Sequence, residues 1–117
     1  MGVGRLIPSL DPPAGGRQHA EGGGGSNSES AYTTATLEVE RAIAFPALAT
    51  HYARQFEQAG WRRTGEGSTK PMAWHTWEFR DKENEAWGGV FTLLQMPAME
   101  RTYYLQVLIN WLGDRSR

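Results

Sequence analysis

Between residues 45 and 61 the apolar residues of this chain change period. In "FPALATHYARQFEQAGW", Phe45, Leu48, Tyr52, Phe56 and Ala59 recur every three or four residues, whereas the segments on both sides alternate. A 3.6-residue period gathers apolar side chains on one stripe of a helix, and a two-residue period gathers them on one face of a strand. The stretch therefore predicts one amphipathic helix set among strands. Pro46 suits the first helical position, where a missing N–H is harmless. Phe45 before it has no oxygen with which to cap the helix. At the other end Gly60 sits where a helix closes in the left-handed conformation, and Trp61 falls where it can fold back on Phe56. His51, Tyr52, Arg54 and Gln55 resemble a chemical motif, but helical spacing distributes them. Tyr52 lies in the stripe, His51 and Gln55 on one flank, and Arg54 nearly opposite. They are expected not to converge.

The flanking segments read as strands. "YTTATLEVE" places Ala35, Leu37 and Val39 on one side, so 33–41 predicts a half-buried strand. After the helix come a short strand at 61–64 and a flexible hairpin loop, "GEGSTKP". Three longer strands follow. "AWHTWEFR" puts Ala73, His75, Trp77 and Phe79 on one side and Trp74, Thr76 and Glu78 on the other. "WGGVFTLLQM" has Phe91 and Leu93 on a shared side, and its Gly88 and Gly89 mark a bulge or a close backbone approach. "TYYLQVLINW" places Tyr103, Leu105, Val107 and Ile109 together. Short connections join antiparallel neighbours, so the last three strands form a meander. The resulting expectation is an α+β domain of order β-α-β-β-β-β. It has a mainly antiparallel sheet of about five strands with one helix packed on one face. The partner of the first strand is left open.

Residues 1–30 differ in character. Gly, Pro and Ser dominate there, and apolar side chains are few beyond Val3, Leu6, Ile7 and Leu10. Such a stretch recovers little burial against its ordering entropy. The reading is a flexible tail or linker at 1–30, a single domain at 31–112 and a polar tail at 113–117. The other reading docks Leu6, Ile7 and Leu10 on the folded part. "LIP" is too short an apolar core for a signal peptide, and no run approaches the ~18 apolar residues of a membrane helix.

Composition narrows the function classes. The chain has 117 residues with 12 Lys+Arg against 13 Asp+Glu, so no net field attracts nucleic acid or an anionic membrane. The absence of Cys removes thiol catalysis, disulfides and cysteine metal sites. No G-x-S-x-G and no phosphate-binding glycine motif is present. "DKENE" reads as a solvated hairpin tip and His75 as a satisfied histidine at the core edge. Nothing implies a cofactor, a metal or a catalytic residue. A base-stacking surface would need positive charge, whereas Glu38, Glu40 and Glu78 oppose Arg80 alone on the face in question.

"HYARQFEQAGW" followed by "WHTWEFRDKENEAWGGVFTLL" resembles a recurring pattern in uncharacterised bacterial proteins. That pattern is a helix ending hYxxQLxxAGW, then a W-x-W/F strand and a meander. Here Phe56 stands where the pattern has leucine. The resemblance covers roughly residues 32–110 and implies a secreted or cell-envelope setting. It implies no catalytic residues.

The uncovered side of the sheet carries the functional expectation. A helix about 10–12 Å across cannot cover even one face of a sheet of five strands spaced about 4.8 Å apart. The other face, with Trp74, Val90, Leu94, Tyr104 and Leu108 among its residues, is more apolar than a solvated face should be. Three covers are open: a second copy of the chain, the "LIPSL" segment, or another protein or apolar ligand. The leading expectation is a non-catalytic binding or assembly module that uses this face. The alternative is a small-molecule-binding or enzymatic domain with a pocket between helix and sheet near His75 and Tyr52.

Overall fold

The computed structural model describes residues 3–20 and 25–113. A single 3-10 turn (Gly4–Leu6) precedes β1 (Gly16–Ala20), β2 (Gly25–Ser26) and β3 (Ser30–Val39). Helix α1 (Phe45–Gln58) then leads into β4 (Arg62–Thr69), β5 (Met72–Arg80), β6 (Ala86–Gln95) and β7 (Thr102–Trp111). The sheet is antiparallel throughout, in the order β1-β3-β7-β6-β5-β4, with the short β2 also pairing on β3. The fold is α+β with one helix and a sheet path of six strands, one more than alternation alone predicts. The meander β4 to β7 is present, and β3 adds antiparallel to β7, with Thr34 opposite Gln106.

The apolar stripe of α1 lies across the sheet. Leu48, Tyr52 and Phe56 are completely buried. The ring of Phe45 meets Tyr103 of β7, Tyr52 meets Phe91 of β6, and Phe56 meets both Phe91 and Trp77 of β5. The helix thus crosses from β7 towards β5. Its first-turn cap is Ala44, not Phe45, and no side chain caps it. Phe45 is already helical and its ring is buried. The C-terminus follows the expected closure. Gly60 has φ +91°, its N–H donates to the Glu57 carbonyl, and the Trp61 N–H donates to the Phe56 carbonyl at 3.0 Å. This is the paired closure in which an apolar residue beyond the glycine returns to the last turn. The Trp61 ring accordingly sits 4.9 Å from Phe56 and stacks on Phe79 at 4.2 Å.

Three expectations change. First, the segment up to residue 30 is not a separate tail where it is described. Gly16–Ala20 pairs with β3 from Ala35 to Val39, and Val3 is buried in the core. Leu6, Ile7 and Leu10 pack against that core. The helix leaves the β3 side of the inner face bare, and these side chains roof it over. The glycines 22–24 and the tail residues 114–117 lie outside the described residues. Second, "GEGST" is strand, not loop. A β-bulge between Arg63 and Gly65 bends β4, which continues to Thr69. Gly67 lets the Trp74 indole lie across β4, where a Cβ would come within 2.4 Å of the ring. Third, Gly88 and Gly89 pair in regular register. Of the two roles open to them, Gly89 serves close approach: a Cβ there would meet the Trp61 ring at 2.8 Å.

Candidate functional site

Two surfaces carry the candidate chemistry: the helix flank with its histidine, tyrosine and glutamine, and the outer sheet face.

On the helix, His51 and Gln55 meet on their shared flank and Tyr52 is buried in the stripe, as the spacing places them. The spacing does not foresee that His51, Tyr52 and Gln55 all reach back to residues 11–18. Asp11 donates its N–H to Gln55 Oε1 at 2.7 Å and its carbonyl accepts from Gln55 Nε2 at 2.9 Å. His51 Nε2 reaches the same carbonyl at 2.8 Å. The Tyr52 hydroxyl donates to Gln18 Oε1 at 2.7 Å, and Gln18 Nε2 donates to the Leu10 carbonyl at 2.9 Å. Together they hold residues 10–18 to the fold. Burial pushes the Tyr52 phenol well above its ordinary range, so it remains a protonated donor. Most of what these side chains grip is backbone, which leaves no signature in the sequence. Arg54, as expected, points away and is exposed.

His75 is a core residue, only 5% exposed. Its ring stacks on Phe91 at 5.8 Å and meets Trp77 edge-on. Cavities 330–1070 Å³ in volume open along the N-terminal segment and at the sheet ends, and His75 lines none of those described. Its Nδ1 and the Trp77 Nε1 are buried without a hydrogen-bond partner among the described residues. Arg63 lies with its guanidinium carbon 5.4 Å from the centre of the Trp77 ring and donates to Glu57 and Glu66. Burial, followed by the charge of Arg63, lowers the His75 pKa, and Glu66 and Glu57 pull weakly the other way.

The sign of the resulting pH dependence is fixed. Below about pH 6.5 the unfolded chain takes a proton at His75 that the folded chain refuses, so stability should fall as pH drops towards the lower folded pKa. In His75→Phe, urea melts from pH 7.5 to 5 should lose that component. The variant should also gain about 1 kcal/mol at neutral pH, because an unsatisfied buried atom is removed. An unchanged pH slope in this variant would contradict the assignment.

The outer face is built from cross-strand rows. Tyr32, Leu108, Val90 and Thr76 lie side by side across β3, β7, β6 and β5. Two residues further along each strand runs the row Thr34, Gln106, Thr92 and Trp74, and beyond it Thr36, Tyr104, Leu94 and Met72. All five sequence-derived candidates, Trp74, Val90, Leu94, Tyr104 and Leu108, therefore share this face. Trp74, Val90 and Leu108 are 36%, 36% and 41% exposed, and Leu94 and Tyr104 are half-buried. Tyr32 and Met72 are further exposed members. Sequence reading missed them because it began both strands too late. The charges at opposite corners of the face pair internally, Arg62 with Glu78 and Arg17 with Glu38.

Other chemistry is sparse. Among the described residues no group of three or more His, Asp or Glu is placed to hold a metal ion, and no helix is long and apolar enough to cross a membrane. Asp81 of the 81–85 turn is occupied structurally, accepting from the backbone N–H groups of Glu83 and Glu85 and from Trp87 Nε1. Comparison with family models, curated proteins and solved structures finds no match. The functional reading therefore rests on geometry.

Proposed function

We propose that this chain is a non-catalytic assembly module whose outer sheet face receives the same face of a second copy. The observation that supports this is the run of exposed apolar side chains in register across β3, β7, β6 and β5, which lacks a helix or loop above it among the described residues. The "LIPSL" segment, one of the three covers considered, lies on the inner face instead, against Ala35, Leu105 and Val107. Four strands about 4.8 Å apart and about 30 Å long offer roughly 580 Å², near the lower end of the range around the ~800 Å² per partner of a standard interface. Facing sheets pack at about 10 Å through such side chains. The two ion pairs leave the face without a dominant sign of charge. It therefore selects neither an acidic nor a basic partner, and it does not repel its own copy.

Size-exclusion chromatography with light scattering should show a dimer in the micromolar to submillimolar range. Leu108→Lys and Val90→Lys should each shift the chain to a monomer by placing an ammonium in the apolar contact. Both sites are solvent-accessible, so circular dichroism and melting temperature should stay near those of the parent. A parent that is monomeric at every concentration, or a dimer indifferent to both lysines, would rule out this mode of assembly.

A further inference from the structure

We infer that the inner face of β3 carries a binding site for a small neutral molecule, mainly apolar and with one hydrogen-bonding group. The site is a half-enclosed cavity of about 330 Å³ between residues 4–10 and the strands β1, β3 and β7. Its origin lies in the sequence. The inward side chains of β3 near its middle are Thr33 and Ala35, small for a core row, and α1 crosses β7, β6 and β5 without reaching them. Ile7, Pro8 and Leu10 roof the space, and Leu105 and Val107 complete the floor. The roof is held in place and does not collapse into the gap. The Leu10 carbonyl is tied to Gln18, and Asp11 is tied to Gln55 and His51. The 3-10 turn is fixed by hydrogen bonds from Leu6 to Val3 and from Ile7 to Gly4.

The lining sets the ligand chemistry. No Asp, Glu, Lys, Arg or His is among the residues that line the cavity. An ionised ligand would lose its hydration without gaining a partner. Gln18 is the anchoring group. A carboxamide has two N–H groups and two acceptor lone pairs. Tyr52 and the Leu10 carbonyl use one of each. One N–H and one lone pair remain, enough for a single hydroxyl or carbonyl. At about 30 Å³ per water, the volume equals roughly eleven waters. That suits a molecule of about ten non-hydrogen atoms, such as a medium-chain alcohol.

The test uses the whole chain and three probes of equal length: 1-octanol, octanoate and octylammonium. Methyl and amide NMR titration should show saturable shifts with 1-octanol at Ile7, Leu105, Val107 and the Gln18 side-chain amide. The two ions should bind at least tenfold more weakly. Ala35→Leu fills the cavity and should reduce 1-octanol affinity at least tenfold while keeping the parent spectrum elsewhere. Thr33→Leu, at an exposed position of the same wall, provides a second filled variant if Ala35→Leu disturbs the fold. The inference is overturned if 1-octanol gives no saturable shifts, or if all three probes act alike. Shifts that fall on Val90 and Leu108 of the outer face, or that survive both filled variants, would overturn it equally.

Discussion

Phe56→Ala should lower the unfolding free energy by about 3–5 kcal/mol, as large-to-small changes of buried aromatics do. The Phe56 ring is completely buried at the point where α1, β5, β6 and the return of Trp61 meet. It touches three aromatic rings, so its removal leaves a hole that no single neighbour can fill. A domain of this size holds about 5–15 kcal/mol in all, so the variant should lose about a fifth or more of its stability. The melting temperature should drop by roughly 15 °C. Phe56→Leu keeps most of the volume and should cost much less. A calorimetric scan in which the alanine variant melts within a few degrees of the parent would show that the packing centre lies elsewhere.

Removal of residues 1–20 should produce the second large effect. Val3, Leu6, Ile7 and Leu10 recover about 1–1.5 kcal/mol each, and the hydrogen bonds to Asp11 and Gln18 are lost with them. Part of the loss is offset by entropy returned to the freed segment, leaving a net cost of about 2–3 kcal/mol. The truncation also strips β1 from β3. β3 then presents an unpaired edge, a known route to aggregation. Urea titration should show the lower midpoint, and light scattering should show soluble or insoluble aggregates that the full chain does not form. A truncated chain with parental midpoint and mass would show that the N-terminal segment adds nothing to the fold.

The parts legible from sequence are those specified by neighbouring residues. Gly60 and Trp61 announce the helix end because the closure involves only residues 56–61. Alternation in β5, β6 and β7 places Trp74, Val90, Leu94, Tyr104 and Leu108 on one face because side-chain direction in a strand needs no tertiary information. The illegible parts depend on distant partners. "GRQHA" has no apolar alternation and becomes a strand only because β3 offers it an edge. Gly65 and Gly67 disfavour a strand until the Trp74 ring is seen lying against them. The grip of His51, Tyr52 and Gln55 on the N-terminal segment was hidden because their partners, Asp11 and Gln18, sit some 34–44 residues earlier.

The pairing of β3 with β7 bears on the order in which the chain can fold. Thr34 faces Gln106 across this ladder, whereas β4 to β7 are joined by short turns. Loop-closure entropy must be met before so distant a pairing returns any stabilisation. The meander and the helix can assemble early from near neighbours, and β3 docks afterwards. During synthesis β3 leaves the ribosome before β7, the strand it pairs with inside the sheet. The β3 edge that meets β7 must stay unpaired until residues 102–111 are made, whereas β1 can already pair with its other edge. The glycine- and serine-rich, weakly apolar character of residues 15–30 limits their association through that wait, a task distinct from anything they do once folded.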